Sequence, residues 1–149
     1  MQILRSIAAV ILGFVVASVL MVCVESFNGK VLYPELGKAA QGLTDRAKVA
    51  ELMASAPTGA LLVVIFGWGL GGFVGGIVAT LIAGRRSMRP GIVLAVLLTL
   101  AGLANDLMLG PPIWFWPAGL LVLFGATTSG AKIFIRKPEP VTTSAVPLA

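Results

Sequence analysis

Four apolar segments, at residues 7–24, 60–83, 91–109 and 113–131, dominate this chain of 149 residues. Asp106 is the only charged residue inside them. A helix that crosses the hydrocarbon layer of a membrane needs about 20 predominantly apolar residues, so each segment is long enough for one crossing. The sequence therefore predicts an all-α membrane protein with four transmembrane helices in an antiparallel bundle.

The predicted helices all belong to one transmembrane domain, residues 1–137, and lie at about residues 3–25, 59–84, 90–109 and 113–135. The first external connection contains Val49, Leu52 and Met53 at helical spacing, which predicts a short amphipathic helix at about residues 44–56 with Thr44 as its N-cap. We expect this helix to lie on the membrane surface or to cap the bundle. The proline-rich tail, residues 138–149, is predicted to be a disordered cytoplasmic segment.

The charges predict the orientation of the chain. The net charge is +5, and the excess positive charge lies at the chain ends and in the connection that holds Arg85, Arg86 and Arg89, because acidic residues offset the basic residues of the external connections. Short basic connections stay in the cytoplasm, so we expect a multi-pass protein of the bacterial inner membrane with both termini cytoplasmic. The three arginines would anchor the protein at one membrane interface, and Trp114 and Trp116 would anchor it at the other.

The composition argues against several functional classes. The chain has no histidine and a single cysteine, so histidine-ligated metals, bis-histidine haem and intrachain disulfides are not available to it. We therefore predict no catalytic residues, no metal, no cofactor and no enzymatic activity. The dispersed basic residues indicate membrane lipids as partners and argue against nucleic acid.

Small residues recur every four positions along the second predicted helix. The predicted helix-packing residues are Gly67, Gly71, Gly72, Gly75, Gly76 and Ala79. In lipid, such stripes let two helix backbones approach closely. They predict packing within the chain, or contact with a second copy or a larger membrane complex.

Acidic residues near the external ends of two helices form a candidate cation or proton site. Asp106 lies beside Asn105 in the third helix, and Glu25 ends the first helix at a similar depth. Ionisable residues within membrane segments are expensive and often functional. Near helix ends, however, they are tolerated cheaply, so these residues also fit a simple marking of the membrane interface.

Three segments resemble a loosely defined group of uncharacterised small four-pass bacterial inner-membrane proteins. The segments are Glu25 with Tyr33-Pro34, the glycine-rich stretch from residue 71 through Ala83-Gly84-Arg85-Arg86, and Asn105-x-x-Met108 followed by Pro112-x-Trp114-Phe115. The resemblance spans most of residues 1–131 and implies a four-pass architecture and a bacterial setting. Members of this group often place a histidine between two prolines before the Trp-Phe pair, whereas this chain has Gly110-Pro111-Pro112 there.

The sequence leads to two functional predictions. The first is an integral membrane protein of structural or accessory type, which packs against itself or a larger complex through its glycine-rich second helix. The alternative is a small ion- or proton-coupled transporter or channel that uses Asp106 and Glu25.

Overall fold

The computed structural model describes residues 2–84 and 87–135, and the regular elements in these ranges are all helical. In chain order they are α1 (Gln2–Phe27), a π-helical turn (Asn28–Leu32), α2 (Pro34–Ala40), α3 (Arg46–Ala54), α4 (Thr58–Ala83), α5 (Arg89–Leu109) and α6 (Phe115–Ile133). The predicted tail, Arg85 and Arg86 lie outside the described residues.

Glycine and proline set several of the helix boundaries. Helix α4 ends at Gly84 (φ 93°) and α5 ends at Gly110 (φ 60°), and both glycines adopt the left-handed conformation that closes a helix. Pro34 and Pro90 lie in the first turns of α2 and α5, where the missing N–H costs no hydrogen bond.

The structure corrects the prediction at the start of α3. Its N-cap is Asp45 rather than Thr44, because the Asp45 carboxylate accepts hydrogen bonds from the backbone N–H groups of Ala47 (2.9 Å) and Lys48 (3.4 Å). The structure also contains α2, which the sequence analysis did not predict, and α1 continues into the π-helical turn.

Helix α4 lies at the centre of the helix packing, between α1 and α6, and α5 packs against α6, α4 and α1. Helix α1 approaches α4 with Val24 beside Gly67 and Gly13 beside Gly75, so these two helices run in opposite directions. We call the end that holds α2, α3 and the α5–α6 turn the loop end. The opposite end, which holds residue 2, Gly84 and residue 135, is called the terminal end.

Three helical segments, Gln2–Leu32, Thr58–Ala83 and Arg89–Leu109, are long and apolar enough to cross a membrane. Helix α6 is not among them, and its sequence includes Lys132 in the last turn as well as Trp116, Pro117 and three hydroxyl residues. The core between the helices contains Trp68, Leu98, Phe115 and Leu123, whereas many large apolar side chains of α1 point away from it. The apolar surface indicates a membrane environment.

Candidate functional site

A cavity of about 310 Å³ lies at the loop end, beneath α2 and α3. Every helix and the π-helical turn contribute residues to its lining. Most of the lining is apolar, and its polar side chains are Glu25, Asn28, Asn105 and Asp106. The structure therefore brings together the three residues of the predicted cation or proton site and adds Asn28 to them.

Asp106 is completely buried, and neither of its carboxylate oxygens has a hydrogen-bond partner among the described residues. It lies on the inward face of α5, one turn beyond Gly102 and two turns beyond Leu98, both of which are also buried. The nearby Arg46 of α3 donates instead to the backbone carbonyl of Leu107 (2.6 Å). A buried carboxylate without partners is costly unless a proton or a cation compensates it.

Asn28 supplies a second unsatisfied oxygen to the same cavity. The residue is buried, and its side-chain Nδ2 donates to the backbone carbonyl of Ala60 (2.9 Å), which fixes the amide. Its Oδ1 has no hydrogen-bond partner within residues 2–84 and 87–135. Asn28 was not among the site residues predicted from the sequence. Its spacing of three from Glu25 would have placed both on one face, had the helix been extended past residue 25.

Glu25 is held by Trp68 of α4. The Trp68 ring is buried, and its Nε1 donates to the Glu25 carboxylate at 3.4 Å. The same ring packs edge-on against Phe115, with a centroid distance of 5.5 Å and an interplanar angle of 74°. Gly102 and Gly119 leave room for it, because a Cβ at either position would lie 3.1–3.3 Å from its edge. Trp68 therefore fills the core and orients one acid of the cavity.

Glu25 and Asn105 also line a second cavity of about 200 Å³, which extends from the loop end along α1 and α5 to Ser18 and Phe14. The two cavities share these two residues. Glu25 and Asn105, both of which are exposed, thus lie between the space around Asp106 and a smaller, more open groove along α1 and α5.

The polar side chains of the loop-end cavity, which could act as metal ligands, are two carboxylates and two amides. The described part of the chain contains no group of three or more histidine, cysteine, aspartate or glutamate residues that could hold a metal ion. Oxygen donors of this kind suit hard cations or protons, whereas zinc or copper sites use imidazole or thiolate. The arrangement can hold a small cation or exchange a proton.

The predicted helix-packing residues Gly67, Gly71, Gly72, Gly75, Gly76 and Ala79 are all buried in the structure. An added Cβ would meet Ala17 of α1 at Gly71 and Gly13 of α1 at Gly75. At Gly72 and Gly76 it would meet Thr127 of α6. Both stripes are therefore occupied by helices of the same chain. Contact with a second copy or a larger membrane complex stays a prediction.

The described interface residues lie at opposite ends of the protein. Arg89 is exposed at the start of α5, at the terminal end. At the loop end, Trp114 is partly exposed and packs edge-on against Phe115, and the Trp116 Nε1 donates to the backbone carbonyl of Pro111 (3.2 Å). The tryptophans have the mixed apolar and polar contacts that suit a membrane interface.

Comparison with protein-family models, curated proteins and solved structures found no match to this chain. The resemblance to small four-pass inner-membrane proteins stays a prediction from the quoted residues. The chemistry of the loop-end cavity is therefore the basis for inferring a function.

Proposed function

We propose that this protein is a four-pass membrane transporter or channel that binds a small cation or a proton at the loop-end cavity. The observation that supports this proposal most directly is the complete burial of Asp106, whose two carboxylate oxygens have no hydrogen-bond partner among the described residues. Intramembrane acids of this kind commonly mark ion pathways and proton relays. Burial without an ion pair or hydrogen bond in the described part of the chain favours a binding role for Asp106 over simple marking of a membrane interface.

The neighbouring side chains support a binding role for the cavity. Asn28 offers an unpartnered amide oxygen, and Glu25 offers a carboxylate that Trp68 orients. A cation between Asp106 and Asn28 would satisfy buried oxygens that otherwise lack partners. A proton on Asp106 would remove its charge. Glu25 and Asn105, which line both cavities, are suited to pass the bound species between the loop-end cavity and the groove along α1 and α5.

The proposal includes α6 as a fourth membrane crossing. Helix α6 packs along α4 and α5, with contacts from Gly91–Ala131 near the terminal end to Gly102–Leu120 nearer the loop end. Two of its hydroxyl groups have partners in the same helix, since Thr127 donates to the carbonyl of Leu123 (2.7 Å) and Thr128 to that of Phe124 (3.0 Å). Such bonding makes hydroxyl side chains compatible with lipid. In the bacterial inner membrane the basic terminal end would face the cytoplasm.

The full chain, reconstituted in liposomes, tests this function. We expect a gradient of Na⁺, K⁺ or protons to drive flux above that of protein-free liposomes, measured with ion-sensitive dyes. Asp106→Asn keeps the shape of the side chain but removes its charge, so it should lower this flux at least about tenfold. Glu51→Gln is the matched control, because Glu51 is exposed on α3 and does not line the cavity.

The role of Asp106 would be disproved by full flux in the Asp106→Asn variant. An equal loss in both variants would show a general effect of surface charge. Absence of flux of all three ions through the wild-type protein would disprove the transport proposal and leave the accessory role as the remaining prediction.

A further inference from the structure

A separate polar cavity, of about 450 Å³, lies at the terminal end between the start of α1 and the α4–α5 connection. Arg5 and Arg89 line it together with the polar side chains of Gln2, Ser6 and Ser87. No acidic residue is among the described residues of its lining. The cavity is therefore cationic and separate from the acidic cavity at the loop end.

The arginines retain unused hydrogen-bond donors. The Arg5 Nε donates a hydrogen bond to the backbone carbonyl of Ile82 (2.5 Å), and this bond holds the guanidinium beside Gly84. The Arg89 guanidinium has no hydrogen bond or ion pair within the described part of the chain. An arginine presents five N–H donors in a planar fork that matches phosphate oxygens. The cavity thus offers several donors to an anion.

An apolar groove begins where this cationic cavity ends. The groove has a volume of about 520 Å³ and shares Gln2, Ser6, Arg89 and Pro90 with the cavity. Its remaining lining consists of Ile3, Ile7, Val10 and Ile11 of α1 and Val93 of α5. The groove follows the seam between α1 and α5 towards the middle of both helices. A cationic cavity that continues into an apolar groove has the shape and chemistry of an anionic amphiphile.

We propose that this composite site binds one anionic phospholipid, with its phosphate at Arg5 and Arg89 and an acyl chain in the α1–α5 groove. Charge complementarity selects the headgroup, because paired arginine–phosphate hydrogen bonds are strong and directional. The basic terminal end also matches the anionic lipid surface of the cytoplasmic leaflet. The groove distinguishes a lipid from free phosphate, which would use the cavity alone.

Lipid retention by the detergent-solubilised full chain tests the site, with native mass spectrometry as the readout. We expect phosphatidylglycerol to stay bound at concentrations where phosphatidylcholine does not. Arg89→Gln should lower phosphatidylglycerol retention about tenfold, because it removes a charged hydrogen-bond donor. Lys132→Gln is the matched control, since Lys132 is an exposed base near the same end that lines neither part of the site.

A second pair of variants tests the groove. Val93→Trp should fill the groove and lower retention, whereas Val96→Trp, on an exposed face of α5 outside the groove, should not. Equal retention of the two lipids, equal losses in Arg89→Gln and Lys132→Gln, or full displacement by inorganic phosphate would each overturn the proposal. Asp106→Asn should leave lipid retention unchanged, so this test is independent of the proposed transport.

Discussion

Asp106 places an electrostatically unfavourable buried carboxylate at the loop end. Its carboxylate is fully buried and has no partner in the part of the chain that the structure describes, while Arg46 of α3 donates to the backbone carbonyl of Leu107. A soluble protein would relieve such a group with an ion pair or expose it to water. Proteins keep unfavourable groups of this kind at sites where function requires them, and they accept lower stability there.

A stability measurement on Asp106→Asn follows from this cost. In detergent and in buffer without Na⁺ or K⁺, we expect the variant to be more stable than the wild type by about 1 kcal/mol or more, because an unpartnered amide costs less than an unpartnered charge. Added cation should raise the melting temperature of the wild type, since a ligand that binds only the folded state stabilises it. It should not raise that of the variant.

The exposed Glu51 provides the control for this measurement. Glu51→Gln should change the free energy of unfolding by less than about 0.5 kcal/mol and should keep the response to cation. A destabilised Asp106→Asn protein, together with a wild type that does not respond to cation, would show that Asp106 has a structural role.

Individual site residues differed in how far the sequence could identify them. Asp106 was predicted because it is the only charge in the apolar segments. Asn28 was missed because Asn-Gly is typical of a turn, whereas the chain forms a π-helical turn there that buries the amide. The contact between Trp68 and Glu25 joins residues far apart in sequence, so no local pattern could reveal it.

Among the elements, α4 shows what a small-residue stripe specifies and what it does not. The spacing of its glycines predicted a close approach by other helices, and the structure places α1 on Gly71 and Gly75 and α6 on Gly72 and Gly76. The partner helices could not be predicted, because a small-residue stripe only permits close approach and carries no information about which helix uses it. Contacts with another chain and contacts within this chain therefore looked alike in the sequence.

Two glycine substitutions test the packing between α4 and α6. A Cβ at Gly76 would overlap the backbone of Thr127 and Ala131, so Gly76→Ala should destabilise the protein by about 1–3 kcal/mol. Gly125 of α6 has open space around it, so Gly125→Ala should be neutral or stabilise the helix by up to about 1 kcal/mol. Thermal unfolding in detergent measures both changes.

The two variants also separate packing within the chain from self-association. Unchanged stability of Gly76→Ala, together with a homodimer that dissociates, would place this face between two chains instead of within one. A loss of stability without any change in oligomeric state would support the packing described above.

For the whole molecule, the central question is the number of membrane crossings. The sequence predicted four, and three helical segments of the structure are long and apolar enough to cross. Hydropathy did not settle the fourth, because α6 contains Lys132 as well as hydroxyl residues, of which Thr127 and Thr128 donate to carbonyls of the same helix. Hydropathy counts the side chains but does not register these bonds.

Cysteine labelling in intact cells tests the topology, in a background where Cys23 is replaced by serine. Thr44→Cys, in the exposed loop before α3, should react with a membrane-impermeant maleimide added outside. Ile133→Cys, exposed at the end of α6, should react only after the inner membrane is permeabilised. Labelling of both positions from outside would show that α6 does not cross and would remove the four-pass architecture.

The composition of α6 has a consequence for how the protein is made. A helix that contains a lysine and several hydroxyl residues enters lipid less readily on its own than the three apolar segments, and the turn that joins α5 to α6 is short. If α6 crosses the membrane, as we propose, it would leave the translocon already paired with α5 and would pack against the glycines of α4 during insertion. The last two helices would then insert into the membrane together, and α4 would provide the surface against which they pack.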